Sequence, residues 1–167
     1  MLRISLAGAA VAGALLVLGI APATAETAPS EKEKQRQELI AAFQARHKCL
    51  EPIFKDARLA PLREKAPPYG GEEPERKHLN DRSKPTPEHV ALIKDYRART
   101  QPCRQQWLDL TTAIVPAAYT AATKKFSSRS DAVHDALERQ EIEWGRANAT
   151  FSKIRKDYNR EADRAWK

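Results

Sequence analysis

From Ile93 to Ala121 the side chains Ile93, Tyr96, Thr100, Cys103, Trp107, Leu110, Ile114, Ala117 and Ala121 return in unbroken alternating steps of three and four. One turn of α-helix takes about 3.6 residues, so this spacing lines one side of a helix. A strand returns to the same face at every second residue and could not use it. Two further stretches carry the same period. Leu39, Phe43, His47, Leu50, Phe54 and Ala57 form the first; Val133, Leu137, Gln140, Trp144, Ala147, Phe151, Ile154, Tyr158 and Ala165 form the last. The expected fold is all-α: an antiparallel three-helix bundle, becoming four if a proline breaks one helix. The seam spacing also fits a dimeric coiled coil, because several of its positions are small or polar.

Terminal signals set the expected helices at about 31–58, 87–126 and 131–165. Ser30 followed by Glu33 reads as a capping box for the first helix, and Pro52 should kink or break it. Thr86 is an N-cap for the second, with Pro87 at its first position and Glu88 beside the positive pole. Pro102 and Pro116 lie inside that second stripe without disturbing its phase, which predicts one kinked helix or collinear pieces. Residues 126–130 read as a turn, with Ser130 capping the third helix. Between the first two helices, residues 60–85 hold Pro61, Pro67, Pro68, Pro74 and Pro85 with Gly70-Gly71. This composition predicts a long mobile connection. If it crosses the helices instead, Tyr69 and Leu79 are the expected anchors.

The amino terminus reads as an export signal. Arg3 precedes a small, apolar run from Ile4 to Ile20, and Ala23-Thr24-Ala25 supplies the small residues a signal peptidase accepts. Cleavage is expected before Glu26, giving residues 1–25 as a signal peptide and 26–167 as one helical domain in the periplasm or secreted. No transmembrane segment is expected after cleavage. In an oxidising compartment two cysteines pair, so Cys49 and Cys103 are expected to form a disulfide. Neither C-x-x-C nor zinc spacing is present to suggest redox or metal chemistry for them.

The chain carries a net charge of +7, or +6 once Arg3 is removed with the signal. Acids are interspersed with the bases, so the surplus reads first as a soluble surface and second as an attraction to anionic partners. Lys153, Arg155, Lys156, Arg160, Arg164 and Lys167 cluster near the end with Tyr158 and Trp166 among them. Asp157, Glu161 and Asp163 interrupt that cluster, which makes it a charged outer face rather than a polyanion site. No specific nucleic-acid partner is expected.

One group suggests a site. Asp131, His134, Asp135 and Glu138 fall three and four residues apart on one helix face, and Asp131, His134 and Glu138 are the candidate metal ligands. His47, alone or with His89 or His134, is a second candidate. Hydrolase, phosphate-binding, zinc-protease and haem-attachment motifs are missing, so no catalytic residue, no cofactor and no enzymatic activity are expected. Asn148-Ala149-Thr150 matches a glycosylation acceptor. The expected function is a non-enzymatic exported protein that binds another protein or an anionic envelope component, or supports the envelope. The alternative is a metal or small-ligand binder built on the Asp131/His134/Glu138 patch.

Overall fold

The computed structural model describes residues 30–165. The expected signal peptide, its cleavage point, Trp166 and Lys167 lie outside the described residues. Every regular element among the described residues is helical: α1 (Glu31–Phe54), α2 (Ala60–Lys65), α3 (Arg76–Leu79), α4 (Pro87–Thr111), α5 (Ala117–Glu138) and α6 (Trp144–Ala165). Short 3-10 turns at Ala57–Leu59 and Pro67–Gly70 flank α2.

The capping signals act where the sequence places them at two starts. Ser30 Oγ accepts from the Glu33 amide at 3.3 Å. Thr86 Oγ1 accepts from the His89 amide at 3.3 Å, and His89 Nδ1 accepts in return from the Thr86 amide at 3.2 Å. Pro52 and Pro102 are carried inside α1 and α4 without ending them.

Two boundaries differ from the expected ones. The second stripe does not form one helix to residue 126. α4 stops at Thr111, where the Thr111 and Thr112 hydroxyls turn back onto the Trp107 and Leu108 carbonyls. Pro116 denies Val115 the helical conformation and then serves as the N-cap of α5. The chain reverses there: Arg97 meets Glu138 and Arg104 meets Asp131, so α4 and α5 run antiparallel. The expected turn at 126–130 is accordingly interior to α5.

The expected third helix is likewise two. α5 ends in a reversal in which the Glu141 amide reaches back to Ala136 O at 2.9 Å and the Gln140 amide to Leu137 O at 2.9 Å. This pairing is a Schellman-type ending, and it requires a left-handed residue, here Gln140 at φ 56°. Glycine or asparagine normally marks such a stop; glutamine gives no sequence warning. The apolar phase persists across the break because Val133 and Leu137 of α5 and Trp144 and Ala147 of α6 bury the same seam from both sides.

Residues 60–85 depart furthest from expectation. Their prolines start elements instead of preventing them, with Pro61 in the first turn of α2 and Pro67 and Pro68 opening the next turn. Gly71, at φ 85°, ends that turn in the left-handed region. Leu62, Ala66 and Tyr69 then enter the main core beside Ile93, Leu137, Trp144 and Phe151. Tyr69 is thus an anchor; Leu79, 42 % exposed, is not. Beyond α3 the segment closes the start of α6. The Trp144 amide donates to Ser83 O at 3.0 Å and the Gly145 amide to Asp81 O at 2.8 Å, which satisfies amides that a helix start leaves unpaired. Buried Asn148 donates to Lys65 O at 2.9 Å and His78 O at 3.1 Å. The acceptor motif at Asn148 is therefore sealed inside the folded chain.

Cys49 of α1 and Cys103 of α4 form a disulfide with Cα atoms 5.6 Å apart. Ile53 and Leu59 pack around it in a small apolar cluster. Phe43 lies against Trp107 further along the same helix pair, which fixes α1 antiparallel to α4. α5 and α6 are tied in the same sense by Lys125–Glu161 and Arg129–Asp157. No helix among the described residues is long and apolar enough to cross a membrane.

Candidate ligand-binding site

The four long helices and the Pro67–Gly70 turn line a half-open cavity of about 400 Å³. That volume lies in the range of small-molecule sites. Each element contributes from its buried stripe: Leu50 and Phe54 from α1, Tyr96, Thr100 and Trp107 from α4, Phe126 and His134 from α5, and Phe151 and Tyr158 from α6. Tyr69 arrives from the proline-rich segment, so that segment completes the wall.

The wall is largely aromatic. Tyr69 meets Tyr96 edge-on at 4.7 Å and Phe151 edge-on at 6.0 Å between centroids. Phe126 stands 5.1 Å from Tyr158, and the His134 ring 5.2 Å from Phe151. Such edge-on ring contacts are favourable by about 0.5–1.5 kcal/mol each beyond the area they bury. Thr123, Ser127 and Ser130 are the small residues along α5 that leave the space open. The serines that read as turn chemistry in the sequence therefore serve to keep the cavity clear.

Buried polar atoms are normally paired. Among the described residues seven buried side-chain atoms have no partner, and four of them belong to residues lining this cavity: Tyr69 Oη, Trp107 Nε1, Asp131 Oδ1 and His134 Nδ1. Asp131 Oδ1 and His134 Nδ1 are 3.9 Å apart, too far for a direct hydrogen bond. Arg46, Arg104 and Arg155 also line the space. An aromatic space edged by cations can hold a planar molecule and hydrogen-bond to it through the arginines.

The expected metal patch is divided between two environments. His134 is buried among Tyr69, Tyr96 and Phe151. Its neighbouring acids are taken by arginines of α4: Arg104 binds Asp131 Oδ2 at 2.7 Å, and Arg97 binds Asp135 at 2.7 Å and Glu138 at 2.5 Å. The structure brings Asp131 and His134 to the cavity and sends Glu138 to a cross-helix ion pair. No group of three His, Cys, Asp or Glu side chains suited to a metal exists among the described residues. His47 is exposed on α1 and His89 belongs to the α4 cap, so neither joins His134. Helical spacing found the right face of α5; it could not show that a second helix brings arginines to it. Helical period places Tyr96, Trp107, Phe151 and Tyr158 on packed stripes, and no local signal marks such a position as a cavity wall.

Arg155 pairs with Glu73 at 3.1 Å and donates to Gly71 O at 3.2 Å, while Arg160 pairs with Asp157 at 2.6 Å. The carboxy-terminal basic cluster is thus partly neutralised by internal pairs.

Burial pushes the His134 imidazole below its ordinary value; nearby Asp131 opposes this, and Arg97 and Arg104 add to it. His134 and Arg104 hold the Asp131 carboxyl far below the usual range. Both groups bind fewer protons when folded, so both contribute stability that is lost as pH falls. For His134 the loss begins near its unfolded value of about 6.5, and for Asp131 near about 3.9. Half-buried His89, also lowered by burial, acts in the same direction as His134. The urea midpoint should therefore fall between pH 7.5 and pH 5.0, and His134→Gln should shrink that fall. An identical fall in the two proteins would remove His134 as its source.

No protein-family model matches the chain, and no curated protein or solved structure is significantly similar to it.

Proposed function

We propose that this chain is an exported, non-enzymatic binding protein for a small molecule, carried in the cavity between its helices. The observation that carries the reading is one largely aromatic space of about 400 Å³ walled by all four long helices and by Tyr69, with Arg46, Arg104, Arg155, Asp131 and His134 among its lining residues. The amino-terminal signal pattern and the disulfide support an oxidising compartment, periplasmic or extracellular. The antiparallel helix pairs support a single bundle closed by the proline-rich segment.

The test uses N-phenyl-1-naphthylamine, whose fluorescence rises in apolar surroundings. Saturable one-to-one binding is expected, with at least tenfold weaker affinity in Ser127→Trp, whose indole would occupy the cavity. Equal affinity in the two proteins, with helicity unchanged, would place the probe elsewhere and defeat the reading.

A second reading, attachment to another macromolecule, rests on Ile40 and Phe43. They are 47 % and 46 % exposed and lie three residues apart on α1. Capture of an envelope protein that is lost in Ile40→Ser with Phe43→Ser would support it.

A further inference from the structure

We infer that the cavity selects a planar aromatic monocarboxylate whose acid group is received by Arg46. This rests on the ligand-binding reading above and adds the ligand's chemistry to it.

The charge balance of the wall favours an anion. Three arginines line the space, Arg46, Arg104 and Arg155, against one acid, Asp131. Arg104 is occupied by Asp131 at 2.7 Å and Arg155 by Glu73 at 3.1 Å. Arg46 has no carboxylate partner among the described residues; its guanidinium carbon stands 5.3 Å from the Trp107 ring centroid. A cation stacked on a ring keeps its N–H edges for a planar acceptor. A guanidinium without a carboxylate partner at an aromatic space can receive a carboxylate through two N–H groups.

The positive field reaches the interior. Burial raises the Tyr96 hydroxyl to about 12, and Arg104, Arg46 and Arg155 all act against that rise. A charge enters a low-dielectric space only where opposite charge meets it, and here cations are in surplus. The rest of the ligand is set by the walls. Rings of Tyr69, Tyr96, Phe126 and Phe151 surround a compact space, which suits a rigid ring system. A flexible alkyl chain would lose more freedom on entry.

Calorimetry of the disulfide-bonded protein with 2-naphthoate, 2-naphthamide and decanoate tests this. The naphthoate should bind at least tenfold more tightly than its neutral amide and more tightly than decanoate. Arg46→Gln should weaken naphthoate at least tenfold and leave naphthamide within about threefold. Equal binding of acid and amide, equal loss of both in Arg46→Gln, or preference for decanoate would overturn the assignment. If N-phenyl-1-naphthylamine binds and Ser127→Trp excludes it while naphthoate fails, the ligand class is wrong and the cavity reading survives. Failure of both probes removes the cavity reading as well.

Discussion

Cys49→Ser together with Cys103→Ser should lower the unfolding free energy by about 4 kcal/mol. The bond joins residues 54 apart in sequence, and closing a loop of that length in the unfolded chain removes about this much conformational entropy. The loop holds the end of α1, both 3-10 turns, α2, α3 and the first part of α4. It therefore contains the whole segment that delivers Leu62, Ala66 and Tyr69 to the core. A domain of this size is stable by about 5–15 kcal/mol, so the bond carries a large share. Urea unfolding of the double variant, with the slope unchanged, should show the loss. A change below about 1 kcal/mol would mean that α1–α4 packing alone holds the pair.

Gly145→Ala should cost about 2–3 kcal/mol, the scale of overpacking against atoms that cannot yield. A Cβ at this position would stand 2.5 Å from Leu79 O and 2.8 Å from Asp81 O. Both are backbone oxygens, and Asp81 O already accepts the Gly145 amide at 2.8 Å. No rotamer change relieves the contact; residues 79–83 must retreat from α6. Their retreat would weaken the Asn148 bond to the adjoining His78 O as well. An alanine inside an exposed helix would instead stabilise by up to about 1 kcal/mol relative to glycine. The sign of the measured change thus separates the two situations. Faster amide exchange at residues 79–83 should accompany the loss, and a stabilised variant would show that the segment does not press on α6.

Much of the helical register was legible because period and burial agree. Ile93, Cys103 and Trp107 on α4, and Trp144, Ala147, Phe151 and Ile154 on α6, are buried as their spacing requires. What failed was punctuation. Gln140 takes a left-handed conformation that glycine usually announces, and Ser127, Ser128 and Ser130 look like a turn while lying within α5. A proline at a first turn and a proline in a loop are also alike in sequence, which is why residues 60–85 read as mobile. Their order comes from distant partners: Trp144, Gly145 and Asn148 bind their carbonyls. The site was half legible for the same reason. Asp131 and His134 share a face by helical spacing alone, but Arg46, Tyr69 and Trp107 reach it from three other segments.

The indole N–H resonances give the most direct test of the cavity as the binding site. Trp107 lines it and Trp144 does not, although both are fully packed in the interior. On titration with 2-naphthoate the Trp107 indole signal should move and saturate at one equivalent, while that of Trp144 stays near its starting position. A stationary Trp107 signal under conditions where calorimetry reports binding would contradict the account.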